Sequence, residues 1–370
     1  MSTVEAGTRT AAIKVRRDDL RSTEIERGDA PEDITLAAGQ VLIKVDKFAL
    51  TANNISYALA GELMNYWGFF PAEDGWGRVP VWGYGDVIRS EHPDVAVGER
   101  FWGYYPMSTH LVAEPDNVNE RGFVDNAPHR RELVGVYNQY TNTAADPSYK
   151  ADQEGARMVM SPLFSTSFIL DDFFDDNNFF GAGTMIVGSA SSKTGLGLAF
   201  LLHHNRDVKV VGLTSPGNVG FCESLGCYDQ VVTYDALESI DNSQPVVFCD
   251  MGGDADVLKR LHTHFDDKLA YSCLVGGTHW ENVGWGQTDL PGPKPAPFFA
   301  PDQFTKRAQE WGPVGLQERM GAAWDSFVGP AQGWIKSEEA RGVETVRDIY
   351  LKMLDGKVPP SQGYILSLNE

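Results

Sequence analysis

Residues 184–199 read TMIVGSASSKTGLGLA, a run of small residues between a short apolar segment and a longer one. Met185–Val187 has the composition of a buried strand, and Gly195–His203 that of an apolar helix. A glycine- and serine-rich turn between such elements suits the pyrophosphate of a dinucleotide, because backbone N–H groups at the helix N-terminus can approach the phosphates. The stretch therefore predicts a dinucleotide-binding α/β domain.

The residues of this turn are the first candidates for cofactor binding. Ala190, Ser192 and Gly195 occupy the positions of a loosened glycine motif, whose first two residues must be small and whose third must let helix and strand pack closely. Hydroxyl groups and one cation add candidate partners for phosphate: Ser189, Ser191, Ser192, Lys193 and Thr194. The alternative is a tight strand-to-helix turn that binds nothing.

The segment after the next predicted strand bears on which dinucleotide binds. An NAD site has Asp or Glu there to accept hydrogen bonds from the ribose hydroxyls. Here Thr214–Asn218 reads TSPGN, and no acid follows until Glu223. Thr214, Ser215 and Asn218 can donate to a 2′-phosphate, which favours NADP(H). The alternative is that these residues form an ordinary turn.

Composition limits the class of protein. The chain has 370 residues, 42% of them hydrophobic, which is enough for two domains with cores. A net charge of −20 disfavours nucleic acid as a partner. The four cysteines form no CxxC pair, and neither a signal-peptide core nor an apolar run of membrane-spanning length occurs. We expect a cytoplasmic protein with free thiols and no membrane partner.

Apolar periodicity divides the chain. Ala11–Val15 and Gln40–Phe48 alternate apolar and polar residues, and the first part of the sequence is predicted to be mainly β. From Met158 onward helices and strands alternate, which is typical of a parallel sheet with right-handed crossovers. A proline-rich loop, Gln287–Pro301, follows. The remaining predicted elements are helices Thr305–Trp311, Met320–Phe327 and Val343–Leu354 and strand Gly363–Leu368.

Five segments in this order resemble the medium-chain dehydrogenase/reductase superfamily, specifically a divergent branch of its zinc-independent, quinone-oxidoreductase-like members. They are GQVLIKVDKFALTANNISYALAG (Gly39–Gly61), VGERFWGYYPMSTHLVAEPDNV (Val97–Val118), MSPLFSTSFIL (Met160–Leu170), VVGLTSPGNVGFCESLGCYDQVVTY (Val210–Tyr234) and LKMLDGKVPPSQGYILSL (Leu351–Leu368).

The resemblance implies an α/β fold with two domains. A GroES-like β domain would comprise residues 1–159 and be completed by the C-terminal segment 313–370. A Rossmann domain with a doubly wound parallel sheet would comprise residues 160–312. The implied activity is that of a zinc-independent, NADP(H)-dependent oxidoreductase acting on an apolar enone, quinone or related carbonyl compound in a cleft between the domains.

The resemblance also implies catalytic candidates. Tyr57 matches a tyrosine that lines the active site in quinone-reductase-like relatives, and its phenol could donate to a substrate oxygen. The adjacent Asn53 and Asn54 offer amide donors to an oxyanion. The alternative for Tyr57 is an aromatic residue that packs on the core.

Four further residues are placed near the cofactor by the resemblance. Thr166 matches a threonine near the nicotinamide, Tyr234 ends the matched third strand, and Gly276 and His279 lie where the family's chain approaches the nicotinamide. Thr166 has the alternative role of a plain helix hydroxyl. His279 has the alternative of a surface loop position.

No metal is predicted. The superfamily's alcohol dehydrogenases hold catalytic zinc with a cysteine and a histidine–glutamate pair, where this chain has Ala49–Ala52 (ALTA) and Val81–Gly85 (VWGYG). The four-cysteine lobe of those enzymes is absent as well. A bound carbonyl would then be polarised by hydrogen bonds.

An aromatic segment, Tyr66–Phe70 (YWGFF), is followed closely by Trp76 and Trp82. These rings suit the wall of a pocket for a small apolar or aromatic substrate. Their alternative is domain core together with an oligomer surface, which leaves a homodimer open.

Two other functions remain open at this stage. Because a fold does not fix a function, the chain could be a lyase or isomerase that uses the same cleft. It could also be a non-catalytic dinucleotide-binding protein that has lost its hydride-acceptor site.

Overall fold

The computed structural model describes residues 9–276 and 289–370 and divides the chain into two compact units. The first unit contains the described residues up to Val159, together with Ser337–Val358 and Gly363–Glu370. The second contains the described residues of Met160–Lys336 and also Pro359–Gln362. The predicted α/β fold, with a mainly β unit and a separate unit built on a parallel sheet, is confirmed.

Strands and helices are numbered along the chain. The strands are β1 (Ala11–Arg16), β2 (Thr23–Arg27), β3 (Val41–Leu50), β4 (Trp76–Gly77), β5 (Pro80–Ser90), β6 (Arg100–Pro106), β7 (His110–Ala113), β8 (Pro115–Asn119), β9 (Gly122–Asp125), β10 (Gln139–Asn142), β11 (Thr184–Gly188), β12 (Lys209–Thr214), β13 (Gln230–Thr233), β14 (Val246–Asp250), β15 (Leu269–Leu274), β16 (Ala296–Pro297), β17 (Lys336–Arg341) and β18 (Gln362–Ser367). The helices are α1 (Ala52–Leu59), α2 (Glu154–Asp176), α3 (Lys193–Asn205), α4 (Val219–Ser224), α5 (Ala255–Phe265), α6 (Ala300–Trp334) and α7 (Val343–Leu354).

The first unit is built around the long strands β3 and β5, which pair antiparallel. The C-terminal strand β18 adds to the other edge of β3, with Tyr364 opposite Leu50. Tyr350 of α7 donates a hydrogen bond from its hydroxyl to the carbonyl oxygen of Leu20 at 3.0 Å. The end of the chain thus completes the β unit, as the resemblance implied.

The second unit contains a parallel sheet. Its strand order is β13-β12-β11-β14-β15-β16, with α3 between β11 and β12 and α5 between β14 and β15. Ile186, Leu213 and Phe248 of three adjacent strands are fully buried. Strand β11 contains the predicted apolar run Met185–Val187.

The long helical element α6 differs from the predicted boundaries. It runs from Ala300 to Trp334 and is interrupted at Gly312, whose φ of 74° and ψ of 157° are not helical. Residues 313–336, which the sequence analysis assigned to the first domain, belong to the second unit. Phe327 explains this grouping, because its ring stacks on Phe164 of the same unit at 4.3 Å between centroids.

None of the helices in the described part of the chain combines the length and apolar character needed to span a lipid bilayer. The cysteines, Cys222, Cys227, Cys249 and Cys273, are buried free thiols.

Candidate functional site

The turn that follows β11, Ser189–Gly195, is the predicted pyrophosphate cradle and is called the cofactor turn below. It is held by β12 and by residues on either side of β13. Ser189 has a left-handed φ of 51°, and its N–H donates to the hydroxyl of Tyr234 at 3.1 Å. Ala190 donates from its N–H to Leu213 at 3.0 Å and accepts at its carbonyl from the Tyr228 hydroxyl at 2.7 Å. The backbone of the turn is therefore fixed by contacts that span several strands.

Helix α3 begins in this turn. The side chain of Ser192 caps the helix, because its Oγ accepts from the N–H of Gly195 at 3.1 Å. Lys193 and Thr194 form the first turn, where N–H groups have no carbonyl partner within the helix. A Cβ at Gly195 would lie 3.0 Å from the carbonyl oxygen of Ser189. A side chain at Gly195 would thus be crowded against the turn, which fits the third position of a dinucleotide motif, where helix and strand pack closely.

The side chain of Ser191 is hydrogen-bonded to residues at the end of β12 and just after it. Asn218 donates from Nδ2 to Ser191 Oγ at 3.1 Å, and Thr214 Oγ1 lies 3.4 Å from the same oxygen. Thr214 is buried, and Ser215 is half-buried beside it. Two stretches that the sequence analysis singled out separately are brought together here.

The ammonium group of Lys193 is hydrogen-bonded to main-chain carbonyl groups. Its Nζ donates to Gln362 at 2.9 Å and to Pro360 at 3.4 Å. Burial lowers the pKa of its ammonium group to about 8. Lys193 therefore connects the start of α3 to the segment Pro359–Gln362 through hydrogen bonds. Its predicted contact with a phosphate group stays a prediction.

The threonine predicted near the nicotinamide lies within α2. Thr166 is half-buried, and its Oγ1 donates back to Pro162 at 3.4 Å. The next residue, Ser167, contacts the cofactor turn instead, since its Oγ donates to the carbonyl of Thr194 at 2.8 Å. Nothing in the sequence distinguished Ser167 from the other hydroxyl residues of this helix.

Sequence reasoning also missed Asp250, which ends β14 directly opposite Gly188 of β11. Its carboxyl group is buried, and Oδ2 has no hydrogen-bond partner among the described residues. The carbonyl of Asp250 accepts from the N–H of Gly276 at 3.3 Å. A Cβ at Gly276 would lie 2.8 Å from Met251 O, so a glycine is required there. His279 lies outside the described residues.

Tyr57 of α1 belongs to the first unit and is 8% exposed. Trp82 Nε1 donates to its hydroxyl at 3.3 Å. The side chains of Asn53 and Tyr137 lie within hydrogen-bonding reach of the same hydroxyl, and burial raises the pKa of the phenol above its ordinary value. Tyr57 is therefore a neutral hydroxyl at physiological pH.

Asn54 has a structural partner at each end of its amide. Its Oδ1 accepts from the N–H of Thr51 at 2.8 Å, and its Nδ2 donates to the carbonyl of Pro80 at 2.8 Å. Together with Thr51 it forms a capping box at the start of α1. The half-buried Asn53 is thus the better placed of the two predicted amide donors.

Four of the aromatic residues predicted as a pocket wall pack into one cluster, namely Tyr66, Phe69, Phe70 and Trp82. Tyr66 lies 4.8 Å from Tyr57 between ring centroids, and Phe69 meets Tyr104 edge to face at 5.5 Å. Trp82 is half-buried at the margin of the cluster and stacks on Trp102 at 5.6 Å. Most of these rings thus form core, and Trp82 retains an exposed edge.

Residues 48–359 match the model of one protein family, whose description is "Protein of unknown function (DUF2855)". The chain belongs to this family. The match takes in most residues of both units, including the cofactor turn and α1. No curated protein matches the chain by sequence.

Several solved structures share this fold at low sequence identity. CurA from Vibrio vulnificus in complex with NADPH is 14% identical, with a TM-score of 0.62 over 97% of this chain and 99% of that chain. A mutant enoyl thioester reductase from Candida tropicalis is 13% identical, with a TM-score of 0.55 over 97% and 100% of the two chains. The yhdH oxidoreductase from Salmonella enterica in complex with NADP is 14% identical, with a TM-score of 0.53 over 97% and 99%. These similarities show that nearly the whole chain has the two-part α/β fold of these proteins.

Across residues 9–276 and 289–370, no group of three or more His, Cys, Asp or Glu side chains is arranged to hold a metal ion. The predicted independence from zinc stays a prediction.

Proposed function

We propose that this protein is an NADP(H)-dependent oxidoreductase that acts, without zinc, on an apolar enone, quinone or related carbonyl compound. The observation that carries the proposal is the turn after β11, where Gly195 lets α3 pack closely on the turn and Ser191 accepts a hydrogen bond from Asn218. When bound, the dinucleotide supplies or accepts a hydride. The protein's own residues bind and orient it.

The preference for NADP(H) rests on the segment after β12. Thr214–Asn218 contains no carboxylate that would repel a 2′-phosphate, and it offers hydroxyl and amide donors. Asn218 and Thr214 are oriented toward Ser191, so these donors lie beside the pyrophosphate cradle. Solved structures with this fold include complexes with NADPH and NADP.

The substrate role belongs to the first unit. Tyr57 carries its proton at physiological pH, and burial raises its pKa further, so it can donate a hydrogen bond to a carbonyl oxygen while negative charge develops there. The half-buried ring of Trp82 offers an apolar surface beside it. An enoyl thioester reductase among the solved structures with this fold acts on a carbonyl conjugated to a double bond, which is the chemistry we propose.

Titration of the purified protein with NADPH and with NADH tests the cofactor part. We expect NADPH to bind more tightly, and we expect Gly195→Val to abolish binding because the branched side chain would press on Ser189 and Ser192 and displace the turn. Gly220→Val is the matched control, since its Cβ position in α4 is open. Failure of both dinucleotides to bind the parent protein would exclude the proposed function. Unchanged binding by Gly195→Val would show that the cradle lies elsewhere.

The substrate part is tested with apolar enones, quinones and aromatic carbonyl compounds, with NADPH oxidation as the readout. Turnover of at least one class, retained after chelator treatment, is the expected result. Dinucleotide binding without turnover of any of these compounds would favour the lyase, isomerase or non-catalytic alternatives.

A further inference from the structure

Asp250 has an unusual hydrogen-bonding state. Its side chain is 97% buried, since the residue is only 3% exposed. Oδ1 accepts from the N–H groups of Gly252 at 2.8 Å and Gly253 at 3.0 Å. Oδ2 is equally buried and has no partner among the described residues. An ionised oxygen left without a partner in the interior is destabilising, so either a proton or a ligand is expected there.

The position of Asp250 in the sheet points to a ligand. Strands β12 and β13 lie on one side of β11, whereas β14 and β15 lie on the other. Ligands of open parallel sheets bind at the carboxyl ends of the strands, where the order reverses in this way. Gly188 and Asp250 are the paired last residues of the two strands at that point, and the cofactor turn follows Gly188 directly.

The approach between these two residues is close. A Cβ at Gly188 would lie 3.1 Å from Asp250 Oδ1. The carboxyl group is therefore packed against the strand that leads into the cradle, and a dinucleotide held by Ser189–Gly195 would pass beside it.

None of the groups named below that interact with this carboxyl group carries a positive charge that could compensate a carboxylate. Tyr234 approaches from the segment after β13, Asp254 from the start of α5, and Cys249 from β14 itself. Burial raises the pKa of Asp250 to about 6; Asp254 acts in the same direction, and the N–H groups of Gly253 and Gly252 act against it. Bound phosphate groups would add further negative charge and disfavour the carboxylate more strongly.

We propose that Asp250 contacts the bound dinucleotide as the neutral acid, so that binding takes up one proton from solution onto Oδ2, which then donates a hydrogen bond to an acceptor oxygen of the dinucleotide. This inference rests on the proposed function, because it assumes a dinucleotide in the cradle. Protonation turns an acceptor-only group into a donor and removes its repulsion from phosphate. No bond other than the O–H bond forms or breaks.

A specific consequence follows for affinity. At pH 8 only the small protonated fraction of Asp250 is competent to bind in this way. Replacement by Asn supplies a permanent N–H donor in the same place, while its oxygen can still accept from Gly252 and Gly253. Asp250→Asn should therefore bind the dinucleotide about 10- to 100-fold more tightly than the parent at pH 8, and about equally at pH 5.5.

Isothermal titration calorimetry with NADPH and NADH at pH 8, in two buffers of different ionisation enthalpy, measures the proton uptake. The parent should take up close to one proton more than Asp250→Asn. Asp254→Asn is the matched control, because Asn also caps a helix, and its proton uptake should equal that of the parent. NADH serves as the second probe because it lacks a titrating 2′-phosphate.

Several outcomes would overturn the inference. If the parent protein takes up no proton when it binds NADH at pH 8, the inference is wrong, and this result needs no comparison with a variant. Weaker binding of Asp250→Asn at both pH values would show that the carboxylate accepts from the ligand instead. If neither dinucleotide binds the parent at any pH, the proposed function fails and the inference fails with it.

Discussion

At the scale of single residues, burial decides what a side chain can do chemically. Tyr57 accepts from Trp82 and keeps its own proton, because a buried phenolate would be poorly solvated. Asn54 has the same kind of donor group as Asn53, but its amide is engaged at both ends. The two asparagines that the sequence offered as equals are therefore unequal.

We predict that Tyr57→Phe lowers kcat by about 100-fold, because the ring is kept while the donor to the substrate oxygen is lost. The affinity for NADPH should not change. Steady-state kinetics on a substrate found by the enone and quinone screen measures both. Tyr66→Phe is the control, since it removes a hydroxyl of the same cluster that is bonded to Tyr137 at 3.1 Å. Equal kcat values for parent and Tyr57→Phe would assign Tyr57 to packing and transfer the donor role to Asn53.

At the scale of elements, α6 shows how one backbone position divides a helix. Gly312 has a positive φ with an extended ψ, a combination that is essentially restricted to glycine. Pro313 follows it and has no N–H to continue the helical hydrogen bonds. The two shorter helices predicted here, Thr305–Trp311 and Met320–Phe327, lie on either side of this break.

Gly312→Ala should lower the free energy of unfolding by about 1–3 kcal/mol, because a Cβ strains this backbone conformation. Gly321→Ala lies in the same element with open space around its Cβ position. It should raise the stability by up to about 1 kcal/mol, since alanine has the higher helix propensity. Urea denaturation of both variants gives the comparison. A stability increase in Gly312→Ala would mean that the break is not maintained by this residue.

At the scale of the whole molecule, the net charge of −20 is partly organised in ion pairs. Arg100 contacts three carboxylates, those of Asp46 at 2.8 Å, Asp86 at 2.9 Å and Glu154 at 2.8 Å. Burial acts to raise the pKa of Glu154, but hydrogen bonds from Arg100, Lys47 and Tyr149 outweigh it and lower that pKa to about 2. Arg100 thus joins three acidic side chains, and it helps to keep one of them, Glu154, ionised.

This arrangement predicts a pH dependence of stability. A carboxyl group whose pKa is lower in the folded than in the unfolded protein stabilises the fold above its unfolded pKa, near 4.5, and loses that contribution as the pH falls toward about 2. Glu154→Gln should therefore be less stable than the parent at pH 6, and the difference should shrink as the pH falls to 3. Urea denaturation across this range measures it, with the exposed Glu120→Gln as the control. A difference that does not change with pH would assign the effect to packing.

Local patterns in the sequence were sufficient for much of the fold. The apolar runs of β11, β12 and β14 and the small residues of Ser189–Gly195 specify strands and a turn through contacts close in sequence. Helix α7 was predicted with its observed bounds, Val343–Leu354, because its apolar periodicity is strong. The sequence analysis gave no bounds for helix α5, in which His262 and His264 interrupt the apolar pattern, although its buried face contains Leu258, Leu261 and Phe265.

The partners of individual polar groups were decided by the tertiary structure. Ser191 and Asn218 are 27 residues apart, and Lys193 and Gln362 are 169 apart, yet each pair is joined by a hydrogen bond. The composition of the turn predicted a phosphate cradle, but only the pairing of β11 with β14 places Asp250 beside it. The sequence shows which side chains can donate a hydrogen bond, accept one or carry a charge. Their protonation and their partners depend on burial and on distances between segments that only the folded chain brings together.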